Sequence, residues 1–249
     1  MEDWLFDLGN TRLKCAPLQA DGGPGEVIAV AHGGGDPGRT CAAILPVQGR
    51  VAYLASVAAP VLTVGLLDAL AQRFERISIA RTQSAFAGLR IAYADPRNLG
   101  VDRFLALLGA HARGTPALVV AVGTALTIDL LDAGGRHRGG RIAPSPALMR
   151  EALHVRAAHL PIAGGAYVEF ADDTQAALAS GCEGAALALI ERSQHAATAL
   201  LDVAPRLLLH GGGAPALLPH LHDARHAPRL VLEGLACWAR IESAASTNA

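Results

Sequence analysis

The chain has 249 residues, of which 51% are apolar, and its formal net charge is −1. This apolar content can bury the core of one large domain or two lobes, and it excludes an intrinsically disordered chain. Because the few charges are of both signs and mixed along the sequence, a nucleic-acid or anionic-membrane partner is not expected. The start, Met1 to Trp4, lacks the basic region of a secretory signal, and no apolar stretch is long enough to span a membrane. We therefore expect a cytoplasmic protein.

The first half of the chain alternates predicted strands and helices. We predict two strands at 4–7 and 12–17 around a turn, then a loop at 21–38, from periodicity and turn residues. A helix with proline in its first turn follows at 60–74, then strands at 77–80 and 89–94 and a helix at 98–113. Gly114 and Pro116 interrupt the chain, which predicts an N-terminal lobe at 1–114 and a C-terminal lobe at 115–249.

The second half restarts with the same pattern. Strands are predicted at 118–122 and 126–131 around a second turn, followed by a long helix at 174–202 and a strand at 206–210. A glycine turn and a closing helix at 232–243 complete the half. Two strand–turn–strand units half a chain apart indicate duplicated lobes with a ligand cleft between them.

Neither the cysteines nor the histidines predict a metal or disulfide framework. The four cysteines, at positions 15, 41, 182 and 237, form no Cys-x-x-Cys pair, so we expect buried free thiols. The closest histidine pair, His220 and His222, lies in a polar stretch that is typical of a loop. Lysine occurs once, at Lys14, against twenty arginines. A single lysine among so many arginines is consistent with a site that needs a compact ammonium charge, although chance also explains it.

The first turn has the residues of a phosphate-binding site. Gly9 lets the backbone approach a ligand closely, and Asn10 and Thr11 add short polar groups and adjacent amides. With strand periodicity Lys14 points towards the phosphates, and Asp7 is a hard ligand for magnesium, through water. The alternative is a plain hairpin in which glycine and asparagine serve the turn alone.

The second turn, residues 123–129, repeats this chemistry. Thr124 offers a hydroxyl and an amide to phosphate, and Asp129 is a second candidate magnesium partner, again through water. Two such turns in separate halves favour a phosphate-binding cleft over two unrelated hairpins.

A third cluster, Gly100-Val101-Asp102-Arg103, lies in the first turn of the helix predicted at 98–113. Helix-end amides favour a charged Asp102, which can orient a hydroxyl for phosphoryl transfer and accept its proton. Arg103 can bind a substrate carboxylate through paired hydrogen bonds. The alternative is an exposed helix start with an ordinary surface ion pair.

Taken together, the three clusters resemble the type III pantothenate kinases, a group that includes proteins called Bvg accessory factors. The matching blocks follow one order and cover most of the chain: Asp7-Leu-Gly-Asn-Thr-Arg-Leu-Lys14, Tyr93, Pro96-Arg-Asn-Leu-Gly-Val-Asp-Arg103, Gly123-Thr-Ala-Leu-Thr-Ile-Asp129, Gly139-Gly-Arg-Ile-Ala-Pro144, Thr174, and Ser180-Gly-Cys-Glu-Gly184.

The resemblance implies an actin-like α/β fold of two ribonuclease-H-like lobes, a homodimer, and transfer of the ATP γ-phosphoryl group to the hydroxyl of pantothenate, the first step of coenzyme A synthesis. It implies Asp102 as the proton acceptor and Thr174 as a pantothenate contact from the partner subunit. The implied ATP-binding residues are Asp7, Leu8, Gly9, Asn10, Thr11, Arg12, Leu13, Lys14 and Thr124. The implied pantothenate-binding residues are Tyr93, Gly100, Val101, Asp102, Arg103 and Thr174.

This sequence departs from the family pattern at two places. The family uses a monovalent cation, potassium or ammonium, and many members carry an aspartate where this chain has Ala121. The cation requirement is therefore open. Members usually have Pro-Gly where this chain has Pro144-Ser145, and serine enters positive φ less freely than glycine, so a different turn is expected there.

Three alternatives to the pantothenate kinase interpretation can be weighed from the sequence. An actin-like kinase could phosphorylate another small hydroxy compound, because a fold does not fix a substrate. A non-catalytic accessory or regulatory protein could use the same fold. The residues that argue against a decayed site are Asp7, Lys14, Thr124, Asp102 and Asp129, which are all retained. Dinucleotide binding at the glycine runs 33–35 or 211–213 is disfavoured, since neither forms Gly-x-Gly-x-x-Gly between a strand and a helix.

Overall fold

A computed structural model of the chain describes residues 1–33, 45–114 and 116–247. The chain divides into two compact units. Unit 1 contains Met1–Gly114 together with Arg229–Ala249, and unit 2 contains Thr115–Pro228. Cys41 and residues 34–38 of the predicted loop lie outside the described residues.

Unit 1 is built on one five-stranded sheet with the order β3-β2-β1-β4-β5. Strands β1, β2 and β3 are antiparallel neighbours, whereas β4 runs parallel to β1 and β5 runs parallel to β4. Its elements before residue 115 are β1 (Trp4–Leu8), β2 (Arg12–Pro17), β3 (Ile28–Ala31), β4 (Gly49–Ser56), α1 (Pro60–Ala71), β5 (Phe74–Ile79), the short pair β6 (Ala85–Phe86) and β7 (Leu89–Arg90), a 3₁₀ turn (Pro96–Asn98) and α2 (Val101–His111).

Unit 2 repeats this topology, with the sheet order β10-β9-β8-β11-β12. Strands β8, β9 and β10 are antiparallel neighbours, and β11 and β12 continue the sheet in parallel. Its elements are β8 (Ala117–Val122), β9 (Ala125–Leu131), β10 (His137–Pro144), α3 (Pro146–Arg156), α4 (Thr174–Leu201), β11 (Arg206–His210), α5 (Ala214–Leu217), a 3₁₀ turn (Leu218–His220) and β12 (Arg225–His226).

Both units therefore show the three antiparallel and two parallel strands of a ribonuclease-H-like lobe. This repeat confirms the predicted actin-like α/β fold and the predicted duplication. In each unit the apolar core lies between the sheet and its helices. In unit 2, for example, alternating residues of β9 (Leu126, Ile128 and Leu130) form a core cluster with Ala186 and Ile190 of α4, as expected for a half-buried strand.

The closing helix α6 (Leu230–Thr247) lies in unit 1, whereas the sequence-based division placed residues 229–249 in the second lobe. It packs on α2, and two glycines allow the close approach. A Cβ atom at Gly234 would overlap the backbone of Leu105, and one at Gly109 would lie 2.6 Å from the carbonyl oxygen of Leu230. The packing of α6 covers part of the buried surface of α2, whose buried residues run from Arg103 to Ala110.

Several element boundaries differ from the sequence predictions. The predicted loop at 21–38 contains β3, and the strand predicted at 89–94 is only Leu89–Arg90. The helix predicted at 60–74 ends at Ala71, because Phe74 begins the next strand. Among the described residues, none of the helices has the length and apolar content needed to cross a bilayer.

Candidate active site

The turn between β1 and β2 closes a tight hairpin in unit 1. Asp7 and Lys14 are directly opposite each other in the antiparallel pair, and the backbone N–H of Gly9 donates to the carbonyl of Arg12 at 3.0 Å. Asn10 and Thr11 are exposed at the tip. The turn follows the carboxyl end of β1, which lies beside the carboxyl end of the parallel strand β4. Ligands of α/β sheets bind outside such ends.

Asp7 is a buried carboxyl group with only 9% of its surface exposed. Burial raises the pKa of this carboxyl to about 6, the positive charge of Lys14 lowers it, and the negative charge of Asp102 raises it. Lys14 therefore offsets only part of the cost of burying the carboxylate. A bound divalent cation would supply the missing positive charge, so the surroundings of Asp7 fit a magnesium ligand.

Asp102 lies in the first turn of α2, close enough to Asp7 for their charges to interact. Its Oδ1 atom accepts a hydrogen bond from the backbone N–H of Arg103 at 2.8 Å. A Cβ atom at Gly100 would lie 2.6 Å from that oxygen, so a side chain there would shift the Asp102 carboxylate from this position. The structure thus brings Asp7, Lys14 and Asp102 of three different elements together.

Arg103 is almost fully buried, at 7% exposure, and is oriented by Tyr93. Its Nη1 atom donates to the Tyr93 hydroxyl at 3.4 Å, and its guanidinium carbon lies 5.9 Å from the centroid of the Tyr93 ring. The predicted alternative of an exposed surface ion pair does not describe this arginine. A guanidinium carries five N–H donors in a planar fork, the geometry that recognises a carboxylate by paired hydrogen bonds.

The corresponding turn of unit 2 joins β8 to β9. The backbone N–H of Gly123 donates to the carbonyl of Ala125 at 3.0 Å, and Thr124 is exposed at the tip. Ser145, which is buried, donates from Oγ to the carbonyl of Thr124 at 3.0 Å and accepts from the backbone N–H of Leu148 at 3.2 Å. Ser145 therefore caps the N-terminus of α3 and also holds the Gly123–Thr124 turn in place.

This capping role explains one departure from the family pattern. Ser145 has φ −70 and ψ 161, an extended conformation open to any residue. A glycine with positive φ is therefore not needed at this position. Serine lacks the backbone freedom of glycine, but its hydroxyl forms hydrogen bonds to Thr124 in the turn and to Leu148 in α3.

Asp129 has different surroundings from those of Asp7. Its Oδ1 atom lies 3.0 Å from Nε2 of His137, and both side chains are buried inside unit 2. It is four residues past Ala125, about 13 Å along β9 from the turn. Asp129 belongs to the interior of unit 2, so Asp7 remains the one of the two predicted aspartates with the surroundings of a magnesium ligand.

The predicted glycine turn, Gly211 to Gly213, follows β11, and sequence reasoning did not assign it to the site. Gly211 has φ +91, and a Cβ atom at Gly211 or Gly213 would clash with Val122, the last residue of β8. The backbone N–H of Gly213 also donates to the Val122 carbonyl at 2.9 Å. The turn therefore packs against the Gly123–Thr124 turn. A strand followed by three glycines was the signal, but it was interpreted as a turn and as a disfavoured dinucleotide motif, without a link to the second phosphate turn.

The remaining predicted residues lie in separate surroundings. Thr174 is the first residue of α4 in unit 2, where Asp173 caps the helix by accepting from the backbone N–H groups of Gln175 and Ala176. Thr174 itself is exposed. Leu8 and Leu13 are buried in the core of unit 1, and Arg12 is exposed. Gly34 and Gly35 of the first glycine run lie outside the described residues.

Comparison with known proteins gives a consistent assignment. The family model of type III pantothenate kinase matches residues 4–196. The type III pantothenate kinase of Stenotrophomonas maltophilia (strain R551-3) is 61% identical over 243 residues, which cover 96% of this chain and 98% of that protein. The type III pantothenate kinase of Xylella fastidiosa (strain M23) is 57% identical over 241 residues, 97% of this chain and 98% of that protein.

Solved structures support the fold at much lower identity. A protein from Campylobacter jejuni described as a Baf family transcriptional activator superposes with a TM-score of 0.63 at 20% identity, covering 96% of this chain and 98% of that chain. A Sinorhizobium meliloti protein described as a 2-dehydro-3-deoxygalactonokinase gives a TM-score of 0.57 at 15% identity, with the same coverage.

Proposed function

The chain belongs to the type III pantothenate kinase family, and we propose that it transfers the γ-phosphoryl group of ATP to the hydroxyl of pantothenate, the first step of coenzyme A synthesis. The observation that carries this proposal is the cluster of Asp7, Lys14 and Asp102 at the carboxyl end of β1. Phosphoryl transfer depends on positioning and charge neutralisation, which a carboxylate, an ammonium group and a second carboxylate provide.

ATP is bound through its phosphates in this proposal. The exposed amides and side chains of Asn10 and Thr11 contact phosphate oxygens, and Lys14 neutralises their charge. In unit 2, Thr124 offers a hydroxyl and an amide to phosphate. The first-turn residues assigned to ATP are Asp7, Leu8, Gly9, Asn10, Thr11, Arg12, Leu13 and Lys14. Magnesium bound near Asp7, through water, would screen the charge of the phosphates.

Pantothenate is held by the residues around the start of α2. Asp102 orients the reacting hydroxyl and accepts its proton as the bond to phosphorus forms. Arg103, held by Tyr93, binds the pantothenate carboxylate by charge-assisted hydrogen bonds. Gly100 and Val101 line this position through their backbone.

We also propose that the protein acts in the cytoplasm as a homodimer, with Thr174 of the partner subunit contacting pantothenate. An apolar groove between α3 and α4 in unit 2, with a cavity volume of about 650 Å³, supports this proposal. The groove is lined by Pro144, Leu148, Met149, Ala152, Leu153, Ala177, Leu178, Gly181 and Cys182. A second copy of the chain would cover this apolar surface, as homodimer interfaces do.

Light scattering on size-exclusion fractions tests the dimer. The variant Leu153→Glu should halve the measured mass by placing a charge in the groove. The variant Val64→Glu alters an apolar residue on α1 of unit 1 that is 53% exposed, against 44% for Leu153, and should leave the mass unchanged. A wild-type protein of monomer mass would refute the dimer.

An acceptor panel in an ADP-release assay tests the proposed reaction. Pantothenate should give ADP, whereas its analogue with an alcohol in place of the carboxylate should react poorly, because the buried Arg103 would lose its anionic partner. A hexose should give none. Equal rates with the hexose would favour a kinase for another hydroxy compound, and no ADP with any acceptor would favour a non-catalytic accessory protein.

A further inference from the structure

His32 lies directly after β3 and contacts the first phosphate turn through both its side chain and its backbone. Its Nε2 atom lies 3.0 Å from the carbonyl oxygen of Gly9, and its backbone N–H donates to the carbonyl of Thr11 at 3.2 Å. Since a carbonyl oxygen can only accept, Nε2 carries the proton in this contact. Only 5% of the His32 surface is exposed.

The two contacts fix the peptide groups on either side of Asn10 and Thr11. In a trans peptide the carbonyl and the N–H point in opposite directions. Holding the Gly9 carbonyl towards His32 therefore turns the Asn10 N–H away from it. Holding the Thr11 carbonyl fixes the peptide that follows. The remaining peptide, which carries the Thr11 N–H, is clamped between the two.

The amides of Asn10 and Thr11 are available to a ligand. Within residues 1–33, 45–114 and 116–247, no group accepts a hydrogen bond from either N–H, and both residues are exposed. Adjacent amides that point the same way form an anion-binding concavity. The affinity that these amides contribute to polyphosphate binding depends on their orientation being fixed beforehand, because ordering a turn on binding costs free energy.

We propose that His32 is a positioning residue that holds the Gly9–Thr11 turn in the conformation that binds the polyphosphate of the nucleotide. The inference rests on the proposed function only in assigning a nucleotide phosphate to this turn. His32 acts through the turn and contacts no reacting atom. An apolar residue of equal size would fill the space, but it would leave the Gly9 carbonyl without its donor.

Two substitutions separate the hydrogen bond from the packing. His32→Phe keeps the ring volume and removes the donor, whereas His32→Gln retains an N–H donor. His222→Ala, at an exposed histidine of unit 2, is the matched control. Calorimetry with inorganic tripolyphosphate, with adenosine and with ATP then measures the phosphate contribution directly, and steady-state kinetics gives the KM values for ATP and pantothenate.

We expect His32→Phe to weaken tripolyphosphate and ATP binding by about three- to tenfold, the range for one lost hydrogen bond. Adenosine binding and the pantothenate KM should not change, His32→Gln should recover most of the loss, and melting temperatures should report folded protein throughout.

Two results would overturn the inference. If folded His32→Phe bound tripolyphosphate as tightly as wild type, His32 would have no positioning role, while the proposed kinase activity would stand. If wild-type protein bound neither tripolyphosphate nor ATP, the phosphate assignment of the turn and the role of His32 would both fail. An equal rise in the ATP and pantothenate KM values would show a general structural effect and would also count against the inference.

Discussion

Asp102 is the residue whose chemistry the proposed reaction needs most directly. Replacing it by asparagine keeps the size and an oxygen that can accept the Arg103 N–H, but it removes the proton acceptor. We expect Asp102→Asn to lower turnover by about 10²- to 10⁴-fold, the usual range for a positioned acid–base group. The control Asp68→Asn changes an exposed acid on α1. Wild-type turnover in folded Asp102→Asn protein would refute the assigned role.

Asp7 is expected to lower the stability of the folded protein at neutral pH while serving its activity. Its pKa is raised from 3.8 to about 6 in the folded protein, so the unfolded chain releases this proton first as the pH rises. The free energy of unfolding is then highest below about pH 4 and falls by up to about 3 kcal/mol as the pH rises past 6, because one pKa unit corresponds to about 1.4 kcal/mol.

Asp7→Asn should therefore match wild type in stability near pH 4 and exceed it by about 1–3 kcal/mol at pH 8 in urea unfolding. It should also lose activity, since it removes the proposed magnesium ligand. Asp95→Asn should show the opposite pH trend, because a side-chain hydrogen bond from Arg97 lowers the pKa of the Asp95 carboxyl. Parallel pH profiles for Asp7→Asn and wild type would contradict this account of Asp7.

Ala121 bears on the monovalent cation. Its methyl side chain supplies no oxygen ligand, and potassium binding depends on oxygen ligands as other hard cations do. We propose that turnover is similar in sodium, ammonium and potassium salts at equal ionic strength, and that Ala121→Asp creates a potassium preference. Strong potassium activation of the wild-type enzyme, measured in the same assay, would show that other oxygens form the cation site.

At the residue scale, the sequence predicted a site at the start of α2 and in the first turn, because glycine, short polar residues and an acid are the pattern of a phosphate-binding turn. It assigned Asp129 to magnesium for the same reason. It could not reveal that this carboxylate forms a hydrogen bond with His137, eight residues later. That contact depends on the register of β9 and β10, which includes a bulge between His137 and Gly140.

The start of α3 shows how one element fixes a functional turn. Ser145 caps the helix and bonds to Thr124, so Ser145→Ala should cost about 1–2 kcal/mol of stability and raise the KM for ATP. Asp173→Ala removes a comparable cap from α4 and should cost about 1 kcal/mol without that change in KM. If the two variants changed the KM for ATP equally, Ser145 would have no specific effect on the Gly123–Thr124 turn.

Element prediction succeeded where the pattern is local and failed where packing decides. The hairpin strands β1, β2, β8 and β9 follow from apolar residues around short turns. In contrast, β4 is buried along nearly its whole length and shows no alternation to reveal it. Strand β10 contains paired glycines and is mostly exposed, so its conformation depends on pairing with β9.

At the scale of the whole molecule, the repeated strand order was foreseeable from two similar turns half a chain apart. The membership of α6 in unit 1 was not, because it depends on the close approach of Gly109 and Gly234 to facing backbone. Such a contact joins residues more than a hundred positions apart, and no local pattern encodes it. The sequence therefore predicted the architecture better than it predicted which unit contains the closing helix.

A crystal structure of the protein with a non-hydrolysable ATP analogue, magnesium and pantothenate tests the central claim most directly. The account predicts the pantothenate hydroxyl within about 2.6–3.2 Å of the Asp102 carboxylate, or one water away, with phosphate oxygens on the amides of Asn10 and Thr11. Phosphates bound away from this turn, or a pantothenate hydroxyl beyond the reach of Asp102, would contradict it.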